Sequence, residues 1–508
     1  VDHLHDDPKY EPHSNGTFAN RYYFDDTYYR PGGPVIALNG AEASVTYAMS
    51  FLQYGIIKML AEATGGMGVI FEHRYYGESF PTVNLTTENY RFHTSDQAMA
   101  DMVYFAEHAK FPRHEHEKLN AKDTPWIWYG GSYAGALVAM LRKKYPERIW
   151  GAVSSSSALE PVVDFWPYYE PIRKYAEENC IEIQVQLVEI IDNILLSKDQ
   201  KTKHLLKSAF GLEGVRDDRN FALAVTGGGG QWQARVQSTA GGMGLWQSRQ
   251  WVTRLYSGAF EKYCSNITST KIEYPDTKSL KKDVQRIIQK GGQPKQKHLV
   301  NHLLNLIGYA RSKTIDLCDD TQEMCFSQWT NATASFFTDK SIENNVALSW
   351  PYQYCTEWGC LPTGDIPKDA GLKPLVSRLI DDDYNRLICK HAFGIETDPD
   401  LEAVLSYGGR NFSFPRVAHI GGQFDNWGIM SPVGYMDQEE DLQQTGNTSE
   451  PKILMKGAGH GWDLFGIPDD EEHTAEYPPP AVTEAQKEIV RVVKAWVADF
   501  KRPDEGCH

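Results

Sequence analysis

The chain has 508 residues, 41% hydrophobic and 12% aromatic, with a formal net charge of −16. That length and apolar content suit one large domain with an insertion, or two or three ordinary domains, around a sizeable core. The negative balance argues against nucleic acid and anionic membranes as partners, and no run approaches the length of a transmembrane helix.

The opening segment, Val1-Asp2-His3-Leu4-His5-Asp6-Asp7, lacks signal-peptide character and reads as the start of a processed mature chain. From 21 to 160, short apolar runs alternate with amphipathic stretches. Strands are expected at 34–38, 68–71, 126–129 and 150–154, and helices at 45–63 and 95–110. Strand and helix in alternation predict a parallel sheet covered on both faces. The pattern changes near 160. To about 395 there are helical stretches (183–196, 299–310), glycine runs at 227–230 and 241–242, and most of the cysteines. The first glycine run lacks the Lys-Ser/Thr of a phosphate-binding loop and reads as a connection. The α/β pattern returns with strands at 414–420 and 452–455 and a helix at 484–500. The division expected is a core segment 1–160, a helical disulfide-containing cap 161–395, and a second core segment 396–508.

Trp126-Ile127-Trp128-Tyr129-Gly130-Gly131-Ser132-Tyr133-Ala134-Gly135 joins the third of these strands to a buried helix. A serine between glycines at such a junction has the geometry of a nucleophile elbow, where only small neighbours fit and the hydroxyl stands exposed. Ala134 replaces the last glycine of the usual pattern and is the smallest substitute. An acyl-transfer serine needs a base, and the base an orienting carboxylate. Asp425 and His460 each follow a late strand, in the order an α/β-hydrolase requires. The competitors fit less well. His419 lies within a strand, His473 in an acidic loop and His508 at the end of the chain. Asp437 and the acidic run 439–441 read as a solvated face, and Asp463 as support for the His460 loop.

Eight cysteines (180, 264, 318, 325, 355, 360, 389 and 507) allow up to four disulfides in an oxidising compartment. Six sequons, at Asn15, Asn84, Asn266, Asn331, Asn411 and Asn447, fit glycans on surface loops. Together they predict a secreted protein, extracellular or in an acidic vacuole. Zinc is not expected, because no Cys-x-x-Cys pair occurs. The segments 3–7 and His114-Glu115-His116 read as solvated polar stretches. Neither a metal nor any other cofactor is expected.

Four segments resemble the serine peptidase family of prolyl carboxypeptidase, dipeptidyl peptidase II and secreted fungal prolyl endopeptidases. They are 17–24 with Pro31-Gly32-Gly33-Pro34; Glu72-His73-Arg74-Tyr75-Tyr76-Gly77-Glu78-Ser79; Gly130-Gly131-Ser132-Tyr133; and Tyr352-Gln353-Tyr354-Cys355-Thr356-Glu357. The resemblance implies an α/β-hydrolase core with a large, mostly helical cap inserted between the nucleophile and the triad acid. It also implies cleavage after proline by Ser132, His460 and Asp425. Asn426, between Asp425 and Trp427, stands where many relatives have proline.

On that footing the Tyr133 N–H is one oxyanion donor. A backbone N–H of Gly40-Ala41-Glu42, or the hydroxyl of Tyr75 or Tyr76, is the second. Trp427 is the expected wall of a proline pocket, with Trp358 and Trp462 behind it. Glu42, Glu78 or Glu357 could hold a substrate's terminal amine. The reading favours an endopeptidase acting on proline-containing peptides or proteins at acidic pH, over a proline-specific exopeptidase or a lipase/esterase. It leaves oligomeric state open.

Overall fold

The expected apolar strands assemble into a sheet in a computed structural model of the chain, which describes residues 1–227, 243, 245, 251, 258–294, 297–330, 334–434, 447–471, 474 and 476–500. Among these residues the strands are β1 (Tyr22–Asp25), β2 (Val35–Asn39), β3 (Met67–Phe71), β4 (Trp126–Gly131), β5 (Gly151–Ser155), β6 (Val162–Asp164), β7 (Gly359–Leu361), β8 (Val417–Gly422) and β9 (Lys452–Met455). Seven form one sheet in the order β1-β3-β2-β4-β5-β8-β9. All its pairings are parallel except β1 with β3, an antiparallel edge that the expected all-parallel sheet lacked. Residues 22–25 are half-buried, so they carry no continuous apolar run to betray a strand.

Successive residues of β2 and β4 enter opposite cores. Val35, Ala37, Trp126 and Trp128 pack on one face, and Ile36, Leu38, Ile127 and Tyr129 on the other. Burial on both faces is why these strands read as continuous apolar runs. Helices α1 (Met49–Gln53) and α2 (Ile56–Thr64) replace the single helix expected over 45–63. The break is at Gly55, where a Cβ would lie 2.5 Å from the Leu464 carbonyl oxygen. Helix α3 (Ser95–His108) is capped by Thr94, whose side chain accepts from the Gln97 N–H. Helix α4 (Tyr133–Lys144) follows β4 at once. β8 starts at Val417 rather than 414, because Pro415 has no N–H for the ladder and Arg416 sits at φ +60°. The last helix starts earlier than expected, Pro480–Ala498, with Pro480 pre-set for its first turn.

Between β5 and β8 lies the helical insertion. Its longest helices, Glu178–Leu195 and Lys297–Lys313, share a separate core with Phe210, Phe221 and Tyr263. The later stretch around Leu348, Tyr352, Trp358 and Ile388 packs into the sheet's own core instead. Among the described residues three disulfides form, Cys180–Cys264, Cys318–Cys325 and Cys355–Cys389. Cys360 is a buried thiol pushed up to about 12 by burial. Cys507, His508, His473, Asn331, Asp437, the acidic run 439–441 and the glycines at 228–230 and 241–242 lie outside the described residues. Among the described residues, no helix is long and apolar enough to cross a membrane.

Candidate active site

Ser132 ends β4 and precedes α4 with φ +59° and ψ −128°, a conformation that non-glycine residues rarely hold. The turn is tight: a Cβ on Gly130 would lie 2.1 Å from the Ala134 carbonyl oxygen. Ala134 itself is fully buried, so the alanine that departs from the usual pattern fits the elbow. The Ser132 N–H donates to the Ser155 carbonyl at the end of neighbouring β5, pinning the elbow to the sheet.

Asp425 and His460 lie on loops after β8 and β9, and backbone bonds zip these loops together. Gln423 N–H donates to Met455, and Phe424 N–H to Ala458. Gly422 passes so close that a Cβ there would lie 2.3 Å from the Gly459 carbonyl oxygen. Asp425 is buried and caps the short turn Asn426–Met430. Its Oδ1 accepts from the Trp427 N–H at 2.9 Å, and its Oδ2 faces His460 Nδ1 at 2.8 Å. Burial pulls the His460 imidazole down, but the charge and hydrogen bond of Asp425 outweigh it. Glu42 and Asp463 add to the same side, and the ring is held above its ordinary value. With Nδ1 bonded to the carboxylate, the ring's basic nitrogen is Nε2.

Ser132 and His460 meet in a cavity of about 210 Å³, walled by Leu38 to Ala41, Phe51, Gly131, Leu464 and Phe465 among others. Asp463 serves the loop: its carboxylate accepts from Tyr129 and Ser155 hydroxyls. His419 is a core residue, pushed down to about 3 by burial.

The remaining expected positions divide. Tyr133 opens α4, so its N–H has no carbonyl one turn earlier. The Tyr75 hydroxyl donates to the Asn89 carbonyl and that of Tyr76 to Gln353 Oε1, and neither residue is among those lining the cavity. Gly40 N–H donates to the Phe71 carbonyl, and Ala41 N–H, at φ +56°, to Asn39 Oδ1. Trp427 is half-buried against Phe165 and Tyr168 of the insertion, with ring centroids 5.6 and 5.2 Å away. Trp358 is buried; its Nε1 donates to Ser95 Oγ and its ring packs 5.0 Å from that of Tyr133. It is therefore a support behind the elbow rather than a pocket wall. Glu357 accepts from Ser95 and Lys9, and exposed Glu78 pairs with Arg21, so both are structural. Glu42 is electrostatically coupled to His460, and burial pushes its carboxyl up to about 7.

Sequence reasoning quoted the Glu72–Ser79 motif without its role. Glu72 is fully buried and accepts from Arg21, from the Val45 N–H and from Ser79. It thereby anchors the loop that carries Ala41 to the cavity. An acid that is invariably solvated in a surface motif would not do this; only its burial betrays it. Of the sequons, Asn15 and Asn411 are exposed, while Asn84, Asn266 and Asn447 are half-buried with amides engaged. Asn266 lies in the helix Ala259–Thr268 rather than a loop.

The family model "Serine carboxypeptidase S28" matches residues 6–476. A probable extracellular serine carboxypeptidase of Arthroderma benhamiae is 39% identical over 503 residues, covering 98% of this chain and 67% of that protein. Serine protease vicPb of Bipolaris victoriae is 26% identical, covering 98% and 88%. The thymus-specific serine protease of Mus musculus is 24% identical, covering 96% and 85%.

Proposed function

The chain belongs to the serine carboxypeptidase S28 family, and from that premise we propose a secreted serine peptidase that cleaves on the carboxyl side of proline through an acyl-enzyme on Ser132. The observation that carries this reading is the Asp425–His460 hydrogen bond, beside a strained Ser132 in one cavity. Ser132 Oγ attacks the carbonyl carbon while His460 Nε2 takes its proton. The same nitrogen then protonates the leaving amine, and water repeats the sequence to free the acid. Asp425 fixes the imidazole tautomer and stabilises the imidazolium. The Tyr133 N–H meets the oxyanion, joined by Ala41 N–H in exchange for its Asn39 partner. Trp427, half-buried two residues after Asp425, offers a flat apolar wall for a proline ring and is backed by the buried Phe165 and Tyr168.

The 39% identical relative is named a serine carboxypeptidase, which favours that activity. The endopeptidase reading has its own support, since His460 is the sole titratable side chain among the described residues lining the cavity. Acidic working pH meets an opposing feature. The base must be neutral, and Asp425 and Glu42 hold the proton on it, so activity should fall as pH drops through the raised His460 value.

One peptide with a single internal proline, made blocked at both ends and with a free carboxyl end, separates the two. A carboxypeptidase cuts only the free-ended form. Cutting of the blocked form selects the endopeptidase, and equal cutting of a proline-free analogue removes the proline preference.

A further inference from the structure

We propose that Asp2, His5 and His13 form a binding site for one divalent transition-metal ion of the zinc class. The three side chains come from residues 2–13, and only His5 lies in the 3–7 stretch that the sequence reads as solvated. The structure gathers them so that one ligand atom from each lies within 4.8 Å of the others.

The carboxylate at the centre is built rather than accidental. Asp2 has a fully buried side chain. Its Oδ1 is saturated by the protein, accepting from Gln97 Nε2 at 2.6 Å and from the Leu4 N–H at 2.9 Å. Gln97 is itself fully buried, and its Oε1 accepts from the His3 N–H, which fixes the amide's orientation. That arrangement leaves Oδ2 facing the two imidazoles, His13 Nδ1 at 2.7 Å and His5 Nδ1 at 4.0 Å. A carboxylate held by outer partners and aimed at histidines is how metal ligands are oriented.

The spacing suits a small ion. Tetrahedral bonds of the usual zinc length put ligand atoms about 3.3 Å apart, and the two distances from Oδ2 bracket that value. In the metal-free arrangement the His13 N–H donates to Oδ2, and the ion takes the place of that proton. The His5 side chain is 48% exposed, so it can swing inward and leaves a position open to water. Two imidazoles and one carboxylate favour zinc, copper or nickel over magnesium or calcium, which prefer all-oxygen shells. The ion would tie segment 2–13 to the first turn of α3 through Gln97.

The test is calorimetric titration of EDTA-treated, dialysed protein with ZnCl2 at neutral pH, alongside the melting temperature with and without the metal. The expected result is one saturable Zn2+ per chain, no saturable Mg2+, and a melting temperature raised by zinc. His5→Ala and His13→Ala should each weaken Zn2+ at least about tenfold, the smaller effect known for outer-shell changes. His5 is exposed, so His5→Ala should melt like the parent without zinc and lose the zinc-dependent rise. Binding should also weaken in acid, where protons compete for the imidazoles. No saturable Zn2+ in the parent, or affinity equal to the parent's in both variants, overturns the site.

Discussion

The sheet and the helical insertion are held together by different means and contribute differently to the site. The sheet relies on parallel ladders buried on both faces, and Ser132, Asp425 and His460 all stand at the ends of its strands. The insertion has a separate helical core and carries the three disulfides. Where it meets the loop after β8, its buried Phe165 and Tyr168 pack against Trp427. In the proposed function the proton relay belongs to the sheet, and the wall for a proline ring belongs to the contact between the two regions.

Four variants test that division. Asp425→Asn should have the largest effect, lowering kcat by about 10⁴-fold with little change in KM. Asparagine can still cap the Trp427 N–H, but its amide faces His460 Nδ1 and imposes the wrong tautomer; steady-state kinetics reads this. Removing Cys180–Cys264 by Cys180→Ser with Cys264→Ser should cost about 2–5 kcal/mol of stability in denaturant unfolding. Because the bridge lies in the insertion, kcat at low temperature should hold. A matching loss of kcat would show that the insertion shapes the chemistry.

Trp427→Ala should act at the boundary, raising KM for proline substrates by an amount worth about 1–3 kcal/mol, with kcat less affected. Glu42→Gln should be smallest. Its carboxylate helps hold the His460 proton, so its loss should move the acidic limb of the kcat/KM profile to lower pH. A limb that stays in place separates Glu42 from the relay.

The sheet was more legible in the sequence than the insertion, for a physical reason. Strands such as Val35–Asn39 and Trp126–Gly131 are buried on both faces and show as unbroken apolar runs, and the elbow needs small residues at fixed positions. The positions of Ser132, Asp425 and His460 at strand ends are therefore legible in the sequence. β1 escaped notice because each of its residues is half-buried. The split between α1 and α2 depends on the approach of Leu464, more than four hundred residues away in sequence, as roughly any long-range contact is invisible to local pattern. Tyr75 and Trp358 suited the site by residue type. Their partners, the Asn89 carbonyl and Ser95 Oγ, are fixed only by tertiary packing. The Asp2, His5 and His13 cluster was hidden likewise, since burial of Asp2 against Gln97 comes from α3.

The central claim is that Ser132 is the nucleophile activated through His460. Incubation with a fluorophosphonate, followed by intact-mass and peptide mass spectrometry, tests it most directly. The account predicts one adduct per chain, on Ser132, absent from Ser132→Ala and formed far more slowly in Asp425→Asn. Stoichiometric labelling at another residue, or undiminished labelling and peptidase activity in Ser132→Ala, would contradict it.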